Sequence, residues 1–544
     1  MKILFINPLL FFPEQLTESQ VRNNSIHLTP PLGLLYVAAY IRQNFHGIKV
    51  KVIDYNYEYL KYAKLNGLTK TCQDFSIENI LKENSPFNTV CVTAPFSLYK
   101  NNIFEVIDKV KKYDHAATII VGGAFPTFQP EKCLENKNID YIVLGEGEKS
   151  CAELINFLFS VQDRDLLTRV KGIGYVENGK KIISYRNDFI EKLDELPFPL
   201  YDQINITDYP KFGRFNTIAK YMEMPPAMMT TSRGCPSNCI FCGVPRFWGK
   251  KIRYRSVENA LQEIRMMKDK YGISHFIFND SNLTHSKNFA MDFFNKIISE
   301  KLNIKWCSPD GIAPYTLDEE LIDLMIRSGC YSISLGIESG NEYILKNILR
   351  KPLNLKLLRE KVEILAKYRN DVYVSGLFML GIPYETKEQM HQTIYLAREL
   401  ELDWNEFAVT LPYPNTELWD ICVKEKFISK NSDDTDSLTY MHSYIRTPEF
   451  SVEEVRDIAY SANIEVNFLN NPNFVKLSIN RAIEDFQRIV NRYPEHSIAK
   501  YMLYKSFLKK NMNAAAEQCK SELILLLSEN QKSRELFTKY NLSL

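Results

Sequence analysis

Between Lys2 and Leu144 the chain alternates short, continuously apolar runs with longer stretches of mixed character. Ile3–Ile6, Val50–Ile53, Thr89–Thr93, Ala117–Val121 and Tyr141–Leu144 read as strands, with Pro31–Asn44 and Ile103–Lys112 as helices among them. Strands that are apolar throughout and alternate with helices imply a parallel sheet covered on both faces. The pattern predicts an α/β, flavodoxin-like (Rossmann-type) domain over residues 1–186. Such sheets bind ligands beyond the carboxyl ends of their strands. The loops there are Asn7-Pro-Leu-Leu, Thr93-Ala-Pro-Phe-Ser, Gly122-Gly-Ala-Phe-Pro-Thr127 and Gly145-Glu-Gly-Glu148, and Gly122 with Gly123 lets a bulky ligand approach the backbone.

Proline-marked sequence, Leu193-Asp-Glu-Leu-Pro-Phe-Pro-Leu-Tyr and then Tyr209-Pro-Lys-Phe-Gly-Arg, reads as a linker over 187–227. A second alternation runs from 228 to 425. Its strands are Met228–Ser232, His275–Asn279, Lys305–Ser308, Tyr331–Gly336, Val372–Leu380 and Glu406–Leu411; its helices are Val257–Lys270, Lys287–Glu300, Asp318–Ser328, Leu355–Tyr368 and Lys387–Leu400. Six βα-type units are too few for a closed eight-fold barrel. Polar or glycine residues follow three of these runs, in Phe278-Asn-Asp-Ser-Asn282, Gly336-Ile-Glu-Ser-Gly340 and Gly381-Ile-Pro-Tyr-Glu-Thr386.

Beyond Tyr440 the glycines vanish and a 3.6-residue period takes over, predicting an all-α domain within 426–544. Ser451-Val-Glu-Glu454 is a capping-box signal. Ala482–Pro494, Ala499–Leu508 and Ala514–Leu527 resemble one or two tetratricopeptide-like hairpins. The apolar face at Phe474–Val490 is expected to pack on the preceding domain and help close its open side; a partner-binding role is the alternative.

Lys+Arg number 67 against 66 Asp+Glu, so there is no global electrostatic case for nucleic acid or a membrane surface. The local exception, Arg246-Phe-Trp-Gly-Lys-Lys-Ile-Arg-Tyr-Arg255, is either an anion-facing wall or a solvated face. Met1–Phe12 is broken by Asn7-Pro8 and reads as a buried strand and its loop, not a signal peptide, and no run approaches the length of a membrane span. Eight of the 11 cysteines are scattered singly, which points to a reducing compartment and a cytoplasmic protein.

The other three stand together in Cys235-Pro-Ser-Asn-Cys239-Ile-Phe-Cys242. Thiolates at these spacings on one loop can hold three irons of a four-iron cluster and leave the fourth open for chemistry. A partial zinc site or buried thiols are the competing readings. Zinc knots usually bring two C-x2-C-type pairs or a pair of histidines, and the nearest downstream histidine is His275.

With Phe241 at the aromatic position, the triad resembles the radical S-adenosylmethionine (SAM) motif. Upstream, Pro30-Pro-Leu-Gly-Leu-Leu-Tyr-Val-Ala-Ala39, Val121-Gly-Gly-Ala-Phe-Pro-Thr127 and Asp140-Tyr-Ile-Val-Leu-Gly-Glu-Gly-Glu148 are similar to the cobalamin-binding domain of B12-dependent radical SAM proteins. Leu411-Pro-Tyr-Pro-Asn-Thr-Glu-Leu-Trp419 resembles the family's P-x-P-G-T segment, with Asn415 where glycine is usual. This resemblance, over about residues 1–425, implies a partial (β/α)6 TIM-like barrel at 228–425. It implies a 4Fe-4S cluster on Cys235, Cys239 and Cys242, and SAM contacts from Phe241, Asp280, Glu338, Ser339, Gly381 and Pro383. It implies cobalamin contacts from Pro8, Thr93, Ser97, Gly122, Gly123, Thr127, Gly145 and Glu146. Helix capping is an equal reading of Asp280, Glu338 and Ser339. The D-x-H-x-x-G segment by which many cobalamin domains supply a cobalt ligand is absent, which implies cobalt without a histidine below it; a domain that has lost cobalamin is the alternative.

The activity implied is C-methylation of an unactivated carbon by way of a 5′-deoxyadenosyl radical and methylcobalamin. The alternatives are a cyclase or rearrangement enzyme using the same cofactors, a methylthiotransferase with a second cluster drawn from Cys72, Cys133 and Cys151, or a non-catalytic helical scaffold. The expected partners are a small-molecule or peptide substrate and an electron donor such as flavodoxin or ferredoxin.

Overall fold

The computed structural model describes residues 1–159, 164–215, 224–428 and 444–544. Part of the expected linker, 216–223, and the expected opening of the helical domain, 429–443 with Tyr440, lie outside the described residues. The first sheet has the order β2-β1-β3-β4-β5-β6-β7. Its parallel part is β1 (Lys2–Asn7), β2 (Lys49–Asp54), β3 (Thr89–Thr93), β4 (Thr118–Gly122) and β5 (Tyr141–Val143). Helices cover both faces, which is why these strands are apolar at nearly every position.

The sheet is extended by an antiparallel hairpin that the apolar pattern does not reveal, β6 (Ile173–Glu177) and β7 (Lys180–Ser184). Its signal is the turn. Asn178 and Gly179 both take positive φ, 50° and 76°, as an Asn-Gly hairpin requires.

The linker is packed, not free. The Tyr201 hydroxyl donates to Glu263 at 2.9 Å and to the Met228 carbonyl at 3.1 Å, and the Tyr209 hydroxyl donates to Asp54 at 2.6 Å. The second domain carries β8 (Pro226–Met229), the short antiparallel pair β9 (Ser232–Arg233) and β10 (Arg253–Tyr254), then β11 (His275–Phe278), β12 (Lys305–Ile312), β13 (Cys330–Glu338), β14 (Tyr373–Leu380) and β15 (Trp404–Val409). β8 and β11 to β15 form one six-stranded parallel sheet in sequence order, with helices between successive strands from β11 onward. This is the partial barrel, open between β8 and β15.

Helix Val452–Ile464 and the π-helical turn Glu465–Leu469 cover the free edge of β15, where the Asn463 amide donates to the Phe407 carbonyl at 3.1 Å. The apolar face at Phe474–Val490 behaves otherwise than expected. Ala482, Phe486 and Val490 of helix Ile479–Arg492 join a separate core with helices Ser497–Lys509 and Asn513–Glu529. The barrel meets the polar flank of that helix, through Arg481 to Asp403 at 2.9 Å and Tyr373 to Asp485 at 3.3 Å. An amphipathic helix turns its stripe to the larger apolar partner, here its neighbouring helices. Among the described residues no helix is long and apolar enough to cross a membrane.

Candidate functional site

The three clustered cysteines occupy the loop between β9 and β10, whose pairing closes its neck. Gly234 has φ +101°, and a Cβ there would lie 2.3 Å from the Lys251 carbonyl oxygen, so only glycine fits where the chain turns toward Cys235. Ile240 fastens the loop to the barrel: its N–H donates to the Leu349 carbonyl at 3.2 Å, and its carbonyl accepts from Leu418 at 3.0 Å. All three thiols are free and partly buried. Burial pushes the Cys239 thiol up to about 11 and raises Cys242, so ligation must displace protons. Among the described residues no three His, Cys, Asp or Glu donors converge as a single ion would need. Cubane ligands each reach a different iron and stand apart, so the triad fits a cluster better than mononuclear zinc. Phe241 packs against the barrel core.

Two cavities adjoin this loop. One, of about 200 Å³, lies between the first domain and the start of the second, beside helices Leu32–Asn44 and Gly147–Phe159, and is lined by Gly33, Tyr36, Thr93, Gly122, Gly123, Gly145, Glu148, Arg233 and Trp248, among others. A Cβ on Gly33 would meet nothing within 4 Å, so the space its missing side chain leaves belongs to the cavity. The other, of about 730 Å³, lies between the loops after β3 and β4 and the cysteine loop, walled by Phe96, Ser97, Tyr99, Phe125, Phe128, Val244 and Tyr413. Phe247 and Trp248 line both. A broad apolar chamber joined to a glycine-lined slot suits a flat macrocycle with a tail, so the residues present fit cobalamin. Among the described residues no histidine lines either cavity. Asn415 takes φ +60°, as the P-x-P-G-T-like segment requires, and its amide donates to the Phe128 carbonyl across the larger cavity's rim.

Thr93, Gly122, Gly123 and Gly145 line the smaller cavity and Ser97 the larger one. Three expected cobalamin contacts line neither. Pro8 points its carbonyl at the Asn56 amide, 2.6 Å away. Thr127 ties two loops together, donating to the Gly123 carbonyl at 2.6 Å and accepting from Gly145 at 2.8 Å. Glu146 is paired with Arg253 at 2.5 Å.

In the barrel, Asp280 is fully buried and its carboxylate is spent on Thr231 and Ser232 at 2.6 to 3.1 Å. These bonds tie the loop after β11 to Thr231 and Ser232, just ahead of the cysteine loop. Ser339 is likewise buried, accepting from the Asn341 N–H at 3.2 Å and lying 3.3 Å from Thr393; it closes a turn, and the side chain that caps the following helix is that of Asn341, which accepts from the Ile344 N–H at 3.0 Å. Gly381, with φ +77°, and buried Pro383 form the turn after β14.

Glu338 is different. It holds φ +71° and binds Lys351 at 2.6 Å, and both carry charges close enough to act on Cys239 and Cys242. Burial works against the Lys351 ammonium, but the Glu338 carboxylate more than offsets it and holds its pKa above the ordinary lysine value. No sequence signal marks Lys351. Asn279, after β11, lines the smaller cavity with its carbonyl oxygen buried and unpartnered among the described residues.

Comparison with known proteins gives a consistent picture. The family model of the radical SAM superfamily matches residues 229–397 and that of the B12 binding domain residues 21–155. The chain is 30% identical to an uncharacterized methyltransferase of Pyrococcus horikoshii, over 79% of this chain and 84% of that one. It is 28% identical to the cytidylyl-2-hydroxyethylphosphonate methyltransferase of Streptomyces wedmorensis, over 86% of this chain and 90% of that one. Its fold is similar to that of the radical SAM methyltransferase TsrM from Kitasatospora setae, solved with cobalamin and a [4Fe-4S] cluster bound, at a TM-score of 0.60 and 14% identity, covering 97% of this chain and 99% of that one. Fold and cysteine loop together define a radical SAM enzyme. The chain belongs to the cobalamin (B12)-dependent branch of that family, with the B12-binding domain preceding the barrel.

Proposed function

We propose that the protein is a B12-dependent radical SAM C-methyltransferase. The observation that carries this reading is the 730 Å³ apolar chamber set between the strand ends of the first sheet and the cysteine loop, where a corrinoid and a cluster held by that loop would share one space. Residues 1–186 would hold cobalamin, 228–425 the cluster and SAM, and 426–544 would support the barrel from its open side, with 187–227 joining the first two. When bound, the cluster supplies the electron that cleaves SAM to a 5′-deoxyadenosyl radical, and cobalamin supplies a transferable methyl group.

The chain's own work is placement. Cys235, Cys239 and Cys242 would hold the cluster and leave one of its irons for the amino-acid head of SAM. Glu338 and Lys351 offer that head an acceptor for its ammonium and a cation for its carboxylate. Phe125, Phe128, Phe247 and Trp248 give the chamber apolar walls that would help keep water from a radical formed there. The substrate is a small molecule or peptide; the electron comes from a flavodoxin- or ferredoxin-type donor, and the free, mostly buried thiols suit the cytoplasm.

The test is product stoichiometry. Anaerobically reconstituted protein given reductant, SAM and hydroxocobalamin should release both 5′-deoxyadenosine and S-adenosylhomocysteine, the second only when the corrinoid is present. Release of 5′-deoxyadenosine alone would favour a cyclase or rearrangement enzyme.

A further inference from the structure

The neck of the cysteine loop belongs to both domains. Arg233 stands two residues before Cys235 on β9, opposite Arg253 on β10. Both side chains are buried, and both turn to acids of the first domain: Arg233 to Glu148 at 2.7 Å and Glu146 at 3.7 Å, Arg253 to Glu146 at 2.5 Å. The Arg233 guanidinium also lies against two rings, 4.6 Å from the centroid of Trp248 and 5.2 Å from that of Tyr36. Glu148, Arg233, Tyr36 and Trp248 all line the smaller cavity. One wall of the space assigned to the cobalamin tail is therefore the structure that anchors the cluster ligands.

This arrangement is more than a domain-interface ion pair. A buried pair strengthens as water leaves its surroundings, and an open cavity beside Arg233 leaves that side free to hydrate and relax. Filling the cavity removes the water and the room. Gly234 has a carbonyl oxygen where a Cβ would stand, so a shift of Arg233 passes directly to Cys235.

We propose that Arg233 is a positioning residue that couples the two cofactor sites: occupancy of the tail cavity fixes the Glu148–Arg233 pair and with it the cysteine loop that presents the open iron to SAM. The proposal rests on the cofactor assignment above. Coupling of this kind is reciprocal, so SAM and the corrinoid tighten each other's binding by the same factor, of order tenfold.

Calorimetry on cluster-loaded protein with the cluster oxidised measures SAM binding without turnover, with and without hydroxocobalamin, and then the reverse titration. The expected result is an approximately tenfold mutual tightening, with a matching corrinoid-dependent change in the SAM-induced resonance spectrum of the reduced cluster. In Glu148→Gln the tightening should fall below about twofold. If that variant fails to retain its cluster, Tyr36→Leu, which removes one stacking face and no charge, should lower the coupling in the same direction. Wild-type affinities that are independent of each other overturn the proposal, as does undiminished coupling in the variants. Failure of either cofactor to bind wild-type protein would instead overturn the function proposed above.

Discussion

Asn467 extends the barrel sheet with a side chain. Its Oδ1 accepts from the Asn405 backbone N–H at 2.8 Å and its Nδ2 donates to the Asn405 carbonyl at 2.6 Å, so one amide stands in for the missing neighbour of the edge strand. Edge strands otherwise offer unpaired groups to other chains.

Replacing Asn467 with Ala leaves both Asn405 groups buried and unpaired, and should destabilise the protein by about 1–3 kcal/mol. Urea unfolding followed by circular dichroism measures this, and light scattering should show increased self-association. Stability within a few tenths of wild type would mean that Asn463 and the helix above suffice to cover β15.

Cys239→Ala should abolish SAM cleavage and lower the iron content after reconstitution, while the first domain, with its own sheet and core, stays folded. Iron analysis and 5′-deoxyadenosine assay read the two halves of this expectation; normal values in both would remove the cluster from this loop.

Because no histidine among the described residues lines either cavity, the cob(II)alamin form of the holoprotein should give an electron paramagnetic resonance spectrum without superhyperfine splitting from a protein imidazole. A corrinoid held without a strong donor below its metal would have electronics that favour radical methyl transfer. A resolved splitting that disappears in a His→Ala variant would contradict the geometry.

Glu385 is fully buried in the turn after β14, where one carboxylate oxygen accepts from the Gly381 and Ile382 N–H groups at 2.9 and 3.0 Å. Burial pushes its carboxyl from 4.5 up to about 8, so the folded state prefers the neutral acid. Its stabilising contribution is whole below the unfolded value and is lost as pH rises from 4.5 toward about 8. Glu385→Gln cannot ionise and should show a flatter Tm over that range than wild type. Parallel Tm profiles for the two proteins would show that the group does not titrate in this window.

Much of the fold was legible because parallel strands covered on both faces are apolar at every position, a property of the run itself. Thr89–Thr93 has the same bounds in the pattern and in the structure, and most barrel strands differ only at their ends, but Met228–Ser232 is divided between β8 and β9, which lie in different sheets, and β12 continues from Ser308 to Ile312. The hairpin β6–β7 escaped because one face of it meets solvent and its strands carry no apolar run; only Asn178-Gly179 announced it. The cysteine triad was equally legible, since ligands close along one loop need no tertiary contact to be recognised.

The polar residues at the strand ends were not decided in this way. Asp280 and Glu338 look alike in sequence, an acid after an apolar run, yet one is consumed by Thr231 and Ser232 and the other stands beside Lys351 near the cysteines. Glu146 and Glu148 stand two residues apart, before and within the first turn of helix Gly147–Phe159, but only Glu148 lines the cavity. By itself the sequence determined what neighbouring residues can settle: the strand and helix periods, the cysteine spacing and the glycines that leave room near backbone. Which carboxylate faces a ligand, which cation stands by the thiols and which helix closes the barrel were decided by the tertiary structure, because each depends on a partner remote in the chain and on whether water reaches the pair.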